Sequence, residues 1–241
     1  RKEKFKMNKA IVSLSGGLDS TVCLALAIKE HGADNVSTIS FNYGQKHFRE
    51  LESAEKVSLH YGVRHEVIDI CDIFKGGNST LLADNNSDIS EGSYIEQQSK
   101  SDSTKVSSYI PFRNGLMLSI LASKALSLYP NDNIFLYLAN HMDDSANDAY
   151  PDCSLDFIES INSAIEIGTY NQCHIKSPFV GKTKQDIVWL GFELSAPFAL
   201  TTSCYNGREK ACGKCATCID RLNAFRAFEK TDPIEYESEE L

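Results

Sequence analysis

Two groups of residues in this sequence have the types and spacing to do chemistry. The first is Ser15-Gly16-Gly17-Leu18-Asp19-Ser20-Thr21, set directly after the apolar run Ile11-Val12-Ser13-Leu14. Adjacent glycines let a backbone turn tightly and bring its N–H groups close to a ligand. A helix starting there adds oriented donors and a partial positive charge, so an anion is favoured. Ser15, Ser20 and Thr21 contribute hydroxyls, and Asp19 offers a carboxylate that can hold Mg²⁺ against phosphate oxygens without any part in burial. The loop lacks the lysine of a Walker A motif and the three glycines of a dinucleotide fold. The second group is Cys204, Cys212, Cys215 and Cys218, which hold half of the 8 cysteines in a short stretch. Their spacing permits tetrahedral zinc, with Gly207 and Gly213 as turns. An iron–sulfur cluster or a redox CxxC pair would use the same residues. Four filled ligand positions favour a structural zinc over a catalytic one.

These groups need elements to position them, and strand-like and helix-like segments alternate along the chain. Residues 9–14, 36–41, 65–70 and 133–139 read as strands. Residues 20–30, 48–61, 155–167 and 219–229 carry helical apolar periodicity, and an apolar helix follows Asn114 to about residue 128. Thr183 and Asp186 form a capping-box pair for a helix to about residue 190. This pattern predicts an α/β fold, a doubly wound and mostly parallel sheet with ligands at the strand C-terminal ends. The main domain is expected over 7–200, and a small cysteine region packed on it over 201–230. Residues 75–108 are polar and aperiodic, which suits disorder or a mobile lid; 1–6 and 235–241 are expected to be disordered.

The string SGGLDST after the first strand resembles the SGGxDS signature of PP-loop ATP pyrophosphatases, the adenine nucleotide alpha hydrolase-like fold. That resemblance implies that ATP is a substrate and that Leu14 to Thr21 bind it. Further pieces narrow the family: Phe41-Asn42-Tyr43-Gly44-Gln45-Lys46-His47, Tyr109-Ile110-Pro111-Phe112-Arg113-Asn114, Tyr150-Pro151-Asp152-Cys153 and Ser203-Cys204-Tyr205 with the cysteines after it. In this order they resemble the 7-cyano-7-deazaguanine synthase family over about residues 9–228, most weakly over 75–108. The resemblance implies conversion of 7-carboxy-7-deazaguanine and ammonia, through an amide, to the nitrile preQ(0) on the route to queuosine and archaeosine. ATP, Mg²⁺ and one structural zinc are the implied cofactors, and a homodimer the implied assembly.

Within that frame Arg113 suits a phosphate or the substrate carboxylate, since its planar fork binds either bidentately. Asp19 and Arg113 are the catalytic candidates. Tyr43 can stack on a flat ring, and Gln45, His47 and Asn114 lie where substrate is expected. Asp148 or Asp152 can accept hydrogen bonds from the amino edge of a guanine-like base, or serve as loop caps. Lys182 and Lys184 can reach phosphates, although a lysine before a helix is commonly solvated. The stretch from His141 to Tyr150 departs from the family's usual Asp/Ser/Gly run, which bears on the exact substrate or the amine acceptor.

Composition bounds the alternatives. The net charge is −9 from 24 basic and 33 acidic residues. Stable nucleic-acid binding is therefore not expected, which argues against a tRNA-modifying thiolase or lysidine-forming ligase. No apolar run reaches the ~20 residues of a membrane span, and the cytoplasm is the expected compartment. Transfer of the activated deazaguanine to a protein amine is a further alternative. A zinc-ribbon interaction module on an inert domain is another, and the intact glycine loop counts against it.

Overall fold

The computed structural model describes residues 6–92, 94–99, 106–141 and 150–237. Strands β1 (Asn8–Ser13), β2 (Val36–Asn42) and β3 (Arg64–Asp69) alternate with helices α1 (Leu18–His31) and α2 (Arg49–Tyr61). Short helices α3 (Cys71–Phe74) and α4 (Tyr94–Ser99) precede α5 (Arg113–Leu128), β4 (Asn133–Tyr137) and α6 (Leu155–Gly168). Strand β5 (Cys173–Lys176), α7 (Lys184–Glu193) and α8 (Ala216–Arg226) complete the chain.

The five strands are all parallel, in the order β3-β2-β1-β4-β5. Successive side chains of a strand point to opposite faces. Ile11 of β1 thus packs with Leu118 and Leu121 of α5 and Ile158 and Ile165 of α6. Its neighbours Ala10 and Val12 pack with Val22 of α1, Val57 of α2, Val188 of α7 and Phe225 of α8. Two cores, one on each face, make the sheet doubly wound. Because Ala224 and Phe225 lie in the second core, the cysteine helix α8 is built into the α/β body. The strand order reverses direction between β1 and β4, and such a switch opens a crevice at the strand C-terminal ends.

The helices start where their local chemistry dictates. Thr183 and Asp186 form the expected reciprocal capping box at α7. Ser154 caps α6 by accepting from the Phe157 N–H. Helix α5 has no cap of its own, because Phe112 sits there in the left-handed region at φ 55°. Asp152, from a distant turn, accepts from the Asn114 N–H at 2.9 Å instead.

Four features differ from the sequence expectation. Strand β5 was not legible, since Cys173-His174-Ile175-Lys176 is a short edge strand without apolar alternation. Helix α8 begins at Ala216 with Cys215 as its cap, three residues before the expected start, because the cysteine loop itself provides the turn into the helix. The polar stretch 75–108 is anchored at its start: Leu81 and Leu82 are buried in the first core. Lys46 N–H donates to Leu81 O at 2.8 Å and Ala83 N–H to Gly44 O at 2.7 Å. The tail expected to fray is held at 235–237, where Ala211 N–H donates to Glu235 O and Glu237 N–H to Ala211 O.

The burial of Leu82 gives a test of this anchoring. Leu82→Ala should lower unfolding stability by roughly 2–5 kcal/mol in urea titration, as for any buried leucine truncation. A residue of a passive surface insertion would change it by less than about 0.5 kcal/mol.

Candidate active site

The cleft lies at the switch between β1 and β4, and the loops after β1, β2 and β4 all reach it. Its walls include Leu14, Ser15, Gly17, Asp19 and Ser20 of the glycine loop, with Tyr43, Gln45, His47, Arg113 and Asn114 across from them. Gly16, Leu18 and Thr21 do not line it; they build the turn. Gly16 has φ +86°, and a Cβ there would lie 2.1 Å from Glu50 O and 2.7 Å from Ala54 N. Only glycine lets the loop rest against α2. Leu14 is fixed by its N–H to Ile39 O at 2.9 Å and by the Ser40 hydroxyl on its carbonyl. Ser20 Oγ accepts from Ser15 N–H at 3.2 Å and donates to Gly17 O at 3.1 Å. The loop is therefore preformed.

Asp19 is not the unengaged carboxylate that the sequence suggested. Lys184 Nζ lies 2.7 and 2.6 Å from its two oxygens, and His141 Nε2 is 3.8 Å from Oδ2. Burial raises the Asp19 pKa, but the charges of Lys184 and His141 outweigh it, so the carboxyl titrates below its ordinary value of 3.8. Lys184 is only 9% exposed, which corrects the expectation of a solvated lysine. Both Asp19 oxygens face an ammonium here, so the arrangement fits a neutralised phosphate site better than a protein ligand for Mg²⁺.

On the opposite wall Arg113 lies over the Tyr43 ring, 5.1 Å from its centroid, and donates from Nη1 to the Tyr43 hydroxyl at 3.2 Å. Burial pushes the Tyr43 phenol well up, so it is neutral. Burial alone would lower the Arg113 pKa, but neighbouring Tyr43 and Asp152 hold it above its usual value. His47 Nε2 is 3.0 Å from Glu50 Oε2 and 3.4 Å from the Tyr43 hydroxyl. Gln45 is consumed locally, accepting from Tyr43 N–H at 2.9 Å and donating to Phe41 O at 3.2 Å. Asn114 Nδ2 donates to Cys153 Sγ at 3.2 Å. Asp152 does not line the cleft; its carboxylate serves the start of α5. Asp148 lies outside the described residues.

Sequence reasoning gives no site role to Glu50, Asn140 and Asp220, nor to Ser203, Tyr205 and His141, which enter it only as motif residues; all six line the cleft. Asn140 and His141 follow β4, and only the strand order brings that end beside β1. Ser203 and Asp220 flank the cysteines, whose spacing drew attention to metal alone.

The four cysteine sulfurs lie within 4.8 Å of one another and are buried. Cys212 and Cys218 Sγ are 3.9 Å apart, close to the ~3.8 Å expected for thiolates at 2.3 Å around a tetrahedral centre. Backbone N–H groups of Lys214 and Cys215 point at Cys212 Sγ at 3.4 and 3.3 Å. The set fits a metal ion.

Comparison with known proteins follows this geometry. Residues 9–229 match the family model described as queuosine biosynthesis protein QueC. The chain belongs to the QueC family. Among QueC relatives, the 7-cyano-7-deazaguanine synthase of Pseudoalteromonas atlantica is 41% identical over 96% of this chain and 100% of its own. That of Marinomonas sp. is also 41% identical, over 95% of this chain and 99% of its own. Among solved structures, an NMN synthetase from Francisella tularensis aligns at TM-score 0.50 and 14% identity, covering 92% of this chain and 78% of that one. That likeness shows the fold alone. Among the described residues no helix is long and apolar enough to cross a membrane.

The Asp19–Lys184 pair generates a test in this QueC chain. Asp19→Asn should cost on the order of 1–3 kcal/mol of unfolding stability, because it leaves a buried ammonium without its counter-charge, and should also cut ATP turnover sharply. The folded-state carboxyl lies below its unfolded value of ~3.9. The pair's stabilisation is therefore complete above that pH and lost as pH falls through the lower folded value. The stability gap between parent and variant, measured by denaturant titration, should close below about pH 4.

Proposed function

We propose that this chain converts 7-carboxy-7-deazaguanine, ammonia and ATP to 7-cyano-7-deazaguanine. The observation that carries the reading is one cleft with a preformed phosphate loop on one wall and a half-buried Arg113 on the other, in a chain 41% identical to a 7-cyano-7-deazaguanine synthase over 96% of its length. Hydroxide and oxide are poor leaving groups; ATP turns first a carboxylate oxygen and then an amide oxygen into a good one. In this reading Ser15, Gly17 and Ser20 hold the pyrophosphate of ATP, and Lys184 shifts from Asp19 toward the added negative charge. Arg113 meets the substrate carboxylate with two N–H groups. Tyr43 holds Arg113 in place; the face it presents to the guanidinium is not available for stacking on a base. Asp152 serves the start of α5, which leaves Asp148 as the remaining sequence candidate for the amino edge of the base. Mg²⁺ enters with the phosphates of ATP. Part of the polar stretch 75–108, outside the Leu81–Leu82 anchor, acts as the lid that keeps water from the activated acid. The four cysteines hold one zinc, and the assembly is a homodimer.

The deciding experiment supplies ATP, Mg²⁺, ammonia and 7-carboxy-7-deazaguanine and follows product by mass. The expected product is the nitrile, with the amide appearing first; a product joined to a larger amine would replace ammonia as acceptor. Metal analysis should give one zinc per chain. Cys212→Ser should release it and unfold the C-terminal region, since site formation contributes directly to folding free energy.

A further inference from the structure

Among the described residues, one of the largest fully buried side chains is a cation outside the cleft. Arg221 on α8 is 1% exposed, and a guanidinium has five N–H donors. All five are engaged. Nε and Nη2 form a fork on Asp232 at 2.6 and 2.8 Å, and Nη2 also donates to Phe198 O at 3.2 Å. Nη1 donates to Thr201 Oγ1 at 2.7 Å and to Ser203 Oγ at 3.3 Å. Tyr236 donates its hydroxyl to Asp232 at 2.6 Å and completes the carboxylate's shell.

Residues 201–203 press this network against the glycine loop. Thr202 N–H donates to Gly16 O at 2.9 Å, and Ser203 Oγ accepts a long bond from the Leu18 N–H at 3.5 Å. A hydroxyl has two lone pairs and one proton. The lone pairs of Ser203 Oγ are taken by Arg221 and Leu18, and among the described residues nothing accepts its proton. Ser203 lines the cleft, with its Oγ 4.0 Å from where a Cβ of Gly17 would stand. A proton beside a loop built for anions has a natural acceptor.

We propose that Ser203 is a phosphate-binding residue of this cleft, giving its hydroxyl proton to a phosphate oxygen of ATP, and that Arg221 is the positioning residue that forces that orientation. This rests on the reading of the glycine loop as the ATP site. By holding one lone pair, the guanidinium prevents the hydroxyl from turning round, and it polarises the O–H toward the ligand. Asp232 balances the Arg221 charge, so the pair adds direction without adding net charge to the wall.

The test is calorimetric binding of α,β-methylene-ATP with Mg²⁺ to the full chain. Ser203→Ala should weaken binding at least about tenfold, as for a lost hydrogen bond to a charged group, with bound metal unchanged, the chain still folded, and stability lowered only by the cost of one unpaired Arg221 N–H. Ser203→Thr, which keeps the hydroxyl, should restore most of it. Arg221→Lys should weaken binding in the parent but add nothing in the Ser203→Ala background. If Arg221→Lys does not fold, Tyr236→Phe loosens the same network and takes its place. Binding by Ser203→Ala within twofold of the parent overturns the proposal, and independent, additive losses overturn the role of Arg221. A parent that binds no analogue overturns the ATP reading and this proposal together. A parent that binds it yet makes no nitrile overturns only the substrate.

Discussion

The glycine loop is held between two pieces of backbone that leave it no room. On one side the carbonyl of Glu50 and the N–H of Ala54 lie where a Cβ of Gly16 would have to go. On the other, Thr202 donates to the Gly16 carbonyl. A loop built only from its own turn would wander by the ångström that separates a bound phosphate from a missed one, and orientation of that quality is what makes positioned groups effective. Here α2 and the segment before the cysteines act as the two jaws. The sheet places β2 and its helix beside β1, and the second core, which α2 and α8 share, brings the segment before the cysteines up to the loop.

Charge in and behind the cleft is arranged in compensated pairs. Asp19 with Lys184 in the cleft, and Asp232 with Arg221 behind it, each hold opposite signs together. Arg113 differs, since its hydrogen bond and ring contact are with the neutral Tyr43, and the carboxylate that acts on it, Asp152, is shared with the start of α5. A cation held by a phenol keeps more of its field for an incoming anion than one neutralised by a carboxylate. The asymmetry suits one wall to the charge of a triphosphate and the other to a single carboxylate.

Much of this was legible in the residues. SGGLDST gave the loop, the cysteine spacing gave the metal set, and period-3.6 and period-2 patterns gave four of the five strands and most of the helices. Strand β5 escaped because an edge strand of four residues has no face to declare. Asp152 was open to two readings because a carboxylate that caps a helix from 38 residues away looks, in sequence, like one that waits for a ligand. Lys184 looked solvated for a similar reason: its partner Asp19 is 165 positions distant, and only the sheet order brings them together. Ser203 was hidden by its neighbour Cys204, whose chemistry is louder.

The distance along the chain between the loop and its second jaw has a consequence for synthesis. Leu18 and Ser203 are 185 residues apart, and Arg221 cannot reach Ser203 until the last tenth of the chain has been made. Contacts of such long range form late, after the loop-closure entropy of nearly the whole domain has been met. On the ribosome β1, α1 and β2 can assemble early, yet the nucleotide loop they carry stays unclamped until the C-terminal helix emerges. A nascent or truncated chain therefore has the motif without the clamp.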